Sequence, residues 1–289
     1  MEPVLGIDLS QHNWRQGVPF GMLPRLNAMG VRFLFGRASI GTAVDPSFEA
    51  NRHRGTYRGW VPGGYHYLVD SIEGNRQAAT FLNELQRTGG VEGLVTSLDV
   101  EDDNRPPIKN HPTLKQVKAF VRDFKDAHPQ HQLGLYANRS TWTRLGNPDA
   151  TDLGFDFVWQ AYYMWGAWTP ADLPARPPIS FGGEGRAPLW QWGSLEVRSM
   201  TGGNILHLDG DAWYGTLDDL RALGTRVAPP IQDRPAYRLA YNAAIDAAVA
   251  AITALDGPGA PPAGKAGHDA AEEAAIQAVK DLRLGEVTG

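Results

Sequence analysis

The run Ser97-Leu98-Asp99-Val100-Glu101 carries two carboxyl groups two residues apart, behind the apolar pair Leu94-Val95. In an extended strand, residues i and i+2 project from one face, and the strand rise sets their Cα atoms roughly 6.6 Å apart. Two carboxylates that close resist ionising together, so one is expected to keep its proton toward neutrality. A proton donor beside an anion is what cleavage of a glycosidic bond uses: the acid protonates the leaving oxygen and the anion supports an oxocarbenium-like centre. Taken alone, the spacing also suits a solvated pair leading into the acidic stretch Asp102-Asp103-Asn104. Two more carboxyls arrive from distant stretches. Asp8 follows the apolar Leu5-Gly6-Ile7, and Asp209 follows Ile205–Leu208; each could equally be a turn or cap residue.

Such groups need a frame to bring them together. Short β-branched and aromatic runs predict strands at Val4–Leu9, Val31–Arg37, Gly64–Val69, Leu94–Glu101, Leu133–Asn138, Phe157–Tyr163, Leu189–Trp192 and Ile205–Asp209. Apolar residues at helical spacing predict helices over Phe20–Met29, Pro46–Tyr57, Asn75–Arg87 and Thr113–His128, with Ser140–Leu145 a shorter one. Pro46 suits a first helical position and Thr113 an N-cap. After Tyr163 the helical period stops. Five strand–helix units followed by three strands indicate a parallel α/β architecture with an irregular last part. Eight strands suffice to close a barrel, and an open doubly wound sheet is the alternative. No glycine-rich phosphate loop accompanies them.

In a parallel barrel, chemistry gathers at the C-terminal strand ends. Here those ends carry Asp8, the trio Tyr65, His66 and Tyr67, then Asp99 and Glu101. Tyr136 and Asn138 follow, then Trp159, Gln160 and Tyr162, then Trp190, Gln191 and Trp192, and finally Asp209. The aromatics either fill the core or stack on sugar rings. His12 and His66 lack any metal-ligand spacing, so no metal and no cofactor is expected.

Composition excludes other classes. The chain has 289 residues, 32 acidic against 27 basic, and a net charge of −5, which argues against nucleic acid as a partner. With no cysteine, disulfides, thiol nucleophiles and zinc–thiolate sites are ruled out. No apolar run approaches the roughly 18 residues of a membrane helix, so membrane insertion is not expected. The opening MEPVLGIDLSQ shows no secretory signal. Near Ala228-Pro229-Pro230 the composition shifts, which sets expected boundaries of 1–226 for the barrel and 227–289 for an extension. The extension reads as two amphipathic helices, Tyr237–Leu255 and Asp269–Leu284, joined by a Gly/Pro/Ala linker over 256–267. Those helices either pack locally or serve self-association or virion assembly.

Eight motifs in order resemble glycoside hydrolase family 25, the Chalaropsis-type lysozymes common among phage endolysins. They are Gly6-Ile7-Asp8-Leu9-Ser10, Phe35-Gly36-Arg37-Ala38-Ser39-Ile40-Gly41, Gly64-Tyr65-His66-Tyr67, Leu98-Asp99-Val100-Glu101, Leu135-Tyr136-Ala137-Asn138, Trp159-Gln160-Ala161-Tyr162, Leu189-Trp190-Gln191-Trp192 and Leu208-Asp209, within residues 1–218. The resemblance implies an irregular TIM-like (β/α)5β3 barrel with a C-terminal α-helical extension. It implies hydrolysis of the β-1,4 bond between N-acetylmuramic acid and N-acetylglucosamine in bacterial peptidoglycan, without a cofactor. Glu101 would be the general acid, with Asp99, Asp8 and Asp209 lining the same cleft. Tyr65, Tyr67, Arg37, Tyr136, Asn138, Trp159, Gln160, Tyr162, Trp190 and Gln191 would bind substrate. Asp99 would either orient the substrate's 2-acetamido group or act more directly. The setting implied is a phage endolysin or virion-associated lysin, made in the cytoplasm and reaching the wall by holin-type lysis or in a virion. The alternative is a glycan-binding assembly component with weak or no turnover. Two departures stand out: Gln11-His12-Asn13-Trp14 follows the first strand where relatives often have a Trp-Gln-Gly-type run, and Asp211 stands where an Asp-x-Asn pattern would put Asn.

Overall fold

Alternation of inward and outward side chains shapes eight strands that close on themselves. The structure is a computed structural model that describes residues 2–104, 109–164, 169–177, 181, 187–198 and 205–224. The first five units run β1 (Val4–Leu9), α1 (Leu23–Ala28), β2 (Val31–Ile40), a two-residue β3 (Ala43–Val44), α2 (Phe48–Tyr57), β4 (Val61–Tyr67), α3 (Gly74–Arg87), β5 (Val95–Val100), α4 (Leu114–Ala127), β6 (Leu133–Asn138) and α5 (Arg139–Arg144). Then come β7 (Phe157–Ala161), β8 (Leu189–Arg198), β9 (Ile205–Trp213) and α6 (Leu217–Ala222). The sheet order is β1-β9-β8-β7-β6-β5-β4-β2-β3, and β1 also pairs with β2, which closes the ring. This is the five-helix, three-strand barrel expected, and the open sheet is excluded.

Pairing is parallel from β1 through β2, β4, β5, β6 and β7 to β8, whereas β9 runs antiparallel to both its neighbours. A parallel crossover needs about a dozen residues. Only residues 199–204 separate β8 from β9, so the chain must turn back. Both strands outrun their predicted ends: β8 extends past Trp192 along the hairpin ladder from Ser194↔Asp209 to Arg198↔Ile205, and β9 extends past Asp209 to Trp213, where it pairs with β1 and the start of β8.

The interior is one period-2 set. Phe33, Phe35, Val61, Tyr65, Val95, Tyr136, Phe157, Trp159, Leu189 and Trp213 form a single buried cluster inside the ring. Outward residues of β5 and β6 (Leu98, Val100, Leu135) meet Ala78, Phe81 and Leu85 of α3 and Val117, Phe120 and Phe124 of α4. Thr113 caps α4 reciprocally: Gln116 N–H donates to Thr113 Oγ1, and Thr113 N–H donates to Gln116 Oε1. α2 begins two residues later than predicted because Asp45 Oδ1 accepts from Ser47 N–H and Oγ–H, holding that turn outside the helix. The segment 20–29 divides into a 3-10 turn, Phe20–Met22, and α1. The predicted helices over 237–255 and 269–284 and their linker lie outside the described residues.

Bulky rings fit the narrow interior because glycines face them. A Cβ on Gly6 would lie 2.1 Å from a ring carbon of Phe33. Gly6→Ala should therefore cost about 1–3 kcal/mol through overpacking, and at about 2–4 °C per kcal/mol thermal melting should register it as a drop of several degrees.

Candidate active site

Odd-numbered positions of β2, β4, β5, β7 and β8 face the ring's interior, and at its C-terminal mouth they turn polar. There they border a cleft of about 770 Å³. β1 supplies Asp8, β2 Arg37, β4 Tyr65 and Tyr67, and β5 Asp99 with Glu101 just beyond it. β6 supplies Tyr136, β7 Trp159 with Tyr163 past its end, β8 Gln191, and β9 Asp209. Asp99 is in register with Tyr67 on one side and Tyr136 on the other. Asp209 lies mid-strand rather than at a strand end, and reaches the mouth because β9 runs backwards, opposite Asp8.

The loops after β4 and β5 wall one side with Asp70, Ser71, Asp102, Asp103, Asn104, Lys109 and Asn110, and the exposed His12 contributes from the loop after β1. Anchors on both sides hold half-buried Glu101 in place. Asn110 Nδ2 donates to the Glu101 carbonyl (3.1 Å) and the Leu68 carbonyl (2.9 Å), tying the ends of β5 and β4 together. Arg144 grips Asp102 through two bonds of 2.6 and 2.7 Å.

Gln191 organises the floor. Its Nε2 donates to Asp8 Oδ2 at 2.6 Å, while its Oε1 accepts from the hydroxyls of Tyr136 and Tyr163. Gln191→Leu would leave Asp8 and two phenols without that partner. We expect it to cost about 1–3 kcal/mol, read as a lowered melting temperature together with weakened glycan binding in calorimetry.

Arg37 is buried; its Nε donates to Asp45 Oδ2 at 2.9 Å, and its Nη2 finds no partner among the described residues. Asp99 is also buried, and its Oδ1 likewise finds none. Burial first, and the neighbouring Glu101 charge second, push the Asp99 carboxyl well above the usual range, against the pull of Arg37. Burial raises Asp8 too, with Asp211 and Asp209 adding to the effect, and burial raises Asp209. Desolvation also lifts the phenols of Tyr65 and Tyr136, which stay neutral hydrogen-bond donors.

Four predicted substrate contacts lie elsewhere. Gln160 and Trp190 occupy even positions and point out of the ring; Trp190 packs with Ile7, Leu9 and Trp192, its Nε1 donating to the Tyr162 carbonyl. Tyr162 is half exposed and away from the cleft. Asn138 caps α5, its Oδ1 accepting from Thr141 N–H at 2.8 Å. Tyr163 was missed, although strand parity carries the signal: it continues the inward series Trp159, Ala161. His66 lies outside the cleft, bonded to Ser39 and Gln77, and burial lowers its pKa to about 4, which leaves it neutral. Among the described residues, no group of acidic or imidazole side chains is arranged to hold a metal ion.

The fold has counterparts among known proteins. Among solved structures, the chain resembles the lysozyme of Streptomyces coelicolor, at 20% identity and TM-score 0.58, over 78% of this chain and 98% of that one. A family 25 lysozyme of Aspergillus fumigatus is similar at 21% identity and TM-score 0.57, over 78% and 100%. The catalytic domain of an endolysin from a bacteriophage of Listeria monocytogenes is similar at 20% and 0.52, over 76% and 97%. No curated protein matches the sequence significantly. Residues 7–198 match the family model described as glycosyl hydrolases family 25. That span runs from within β1 to the end of β8 and includes both carboxyls at the end of β5, and on it the chain belongs to glycosyl hydrolase family 25.

Proposed function

We propose that this glycoside hydrolase is a lysozyme of the muramidase type, cleaving the β-1,4 bond between N-acetylmuramic acid and N-acetylglucosamine in bacterial peptidoglycan. The observation that carries the reading is the convergence of Asp8, Asp99, Glu101 and Asp209, from three separate regions of the chain, on one cleft. The cleft volume lies within the range of about 300–1,000 Å³ usual for ligand sites.

Glu101 donates its proton to the leaving glycosidic oxygen as the bond to C1 breaks. The carbonyl oxygen of the substrate's own 2-acetamido group closes on C1, giving a cyclic oxazolinium ion. Glu101, now a carboxylate, takes a proton from water as that water opens the ring, which restores the acid and retains configuration. Asp99 lies deeper, and its unpartnered Oδ1 is the acceptor for the acetamido N–H; Arg37 Nη2 beside it is a donor for the acetamido or carboxyl oxygens. Tyr67 and Tyr163 offer ring faces to the sugars.

The endolysin among the similar structures supports a bacteriolytic setting, as a phage endolysin or virion-associated lysin released by holin-type lysis or carried in the particle. The glycan-binding assembly component gains no support from these observations. The test is digestion of purified peptidoglycan, followed by borohydride reduction and mass analysis. Reduced muramic acid at the new ends is expected, and reduced glucosamine ends or intact glycan would overturn the reading.

A further inference from the structure

Asp211 is a buried acid next to the cleft residues Trp159 and Gln191, with no part in the steps above. It is fully buried on β9, in register with Gly6 and Gln191. Trp159 Nε1 donates to its Oδ1 at 2.9 Å, whereas its Oδ2 finds no partner among the described residues. The group within hydrogen-bonding reach is the Asp8 carboxyl, itself held at Oδ2 by Gln191. Each of the two residues has only carboxyl oxygens to offer the other. As two largely buried anions they would repel strongly. With one proton between them they make a charge-assisted hydrogen bond, and the orphaned oxygen is satisfied.

We propose that Asp211 is a positioning residue that shares a single proton with Asp8 and thereby holds the Asp8 carboxyl against Gln191; this rests on reading the cleft as the glycosidase active site. The groups facing the pair favour keeping that proton. Asp209 shares β9 with Asp211, and Asp99 faces Asp8 from β5. The neutral phenols of Tyr65, Tyr136 and Tyr163 close in from β4, β6 and the end of β7, and Arg37 on β2 is the cation acting on Tyr65 and Asp99. Burial raises both carboxyls well above their ordinary range; the charge of Asp211 adds to this at Asp8 and that of Asp209 at Asp211, while the hydrogen bond with Asp8 pulls Asp211 back. When pH rises far enough to remove the shared proton, two adjacent anions remain, Asp8 leaves its seat, and activity falls.

Asparagine at 211 separates the proton from the shape. Its Oδ1 can still accept from Trp159, and its Nδ2 gives Asp8 a donor that no pH change removes. Asp211→Asn is therefore expected to move the alkaline limb of the pH profile for peptidoglycan hydrolysis upward by about one unit or more. One unit above the wild-type midpoint, a one-unit shift leaves it about fivefold ahead of its own rate had the limb not moved. In infrared difference spectra at neutral pH, wild type should show a protonated-carboxyl band that is lost in Asp211→Asn and, from the other side of the pair, in Asp8→Asn. Superimposable pH profiles, or a band unchanged in both variants, would overturn the shared proton, as would a uniform loss of rate at every pH with the band retained. If wild type releases no muramic acid ends, the proposed function fails while the infrared comparison still decides the shared proton.

Discussion

Glu101→Gln should abolish lysis of peptidoglycan, lowering turnover by about 10²–10⁴-fold, the range that a positioned general acid supplies. Glutamine keeps the volume and the polar contacts of the side chain but has no acidic proton for the leaving oxygen. The backbone there is anchored independently of the carboxyl by Asn110 and by the Arg144–Asp102 pair, so the variant should melt within a few degrees of wild type. The substrate dependence of the loss is the sharper measurement. An aryl glycoside whose leaving group departs as a stabilised phenolate needs no proton, so Glu101→Gln should lose far less on it than on the natural glycan. Near-normal turnover on peptidoglycan, or an equal loss on both substrates, would remove Glu101 from the acid role.

Asp99→Asn should separate activity from stability in opposite directions. An amide cannot exchange a proton with Glu101 as the carboxyl can, and a fall of about 10²–10⁴-fold is expected. The stability effect follows from linkage. Burial and Glu101 place the folded-state pKa of Asp99 above its unfolded value of 3.8. The native state therefore retains a proton that the unfolded chain releases, and stability declines as pH rises from about 3.8 through the raised folded value. Below that window the group contributes fully; above it the site bears a desolvated charge. Asparagine has no such decline. The melting temperature of Asp99→Asn should thus draw ahead of wild type as pH increases, by about 2–4 °C for each kcal/mol regained. An advantage that shrinks with rising pH would contradict the burial-driven shift. Asp8 and Asp211 are shifted in the same direction for the same leading cause, so wild type itself should be more stable in mild acid than in mild alkali.

How much of the site could be read in advance depended on parity. At Ser97–Glu101, alternation alone put Asp99 and Glu101 on one face, because the side-chain period of a strand is set by the backbone and not by context. The same rule, applied through β7 and β8, separates Trp159 and Gln191 from the outward Gln160 and Trp190, and Tyr163 from Tyr162. It was of no use until the register of the last strands was known, since shifting the count by one position exchanges the two faces. Asn138 shows the other limit: a polar residue at a strand's C-terminal end satisfies site chemistry and helix capping equally well, and only the position of Thr141 N–H chooses between them.

The amino-acid sequence by itself determined the number and order of the eight barrel strands, the helices between the first five of them and their successors, and the pair Asp99 and Glu101, because each of these follows from local periodicity over a few residues. The tertiary structure alone decided that β9 runs backwards, that Asp209 and Asp211 therefore meet Asp8, and that one buried glutamine holds the floor. These are contacts between residues up to two hundred positions apart. No local pattern encodes them, because they come into being only when closure of the ring brings its first and last strands side by side.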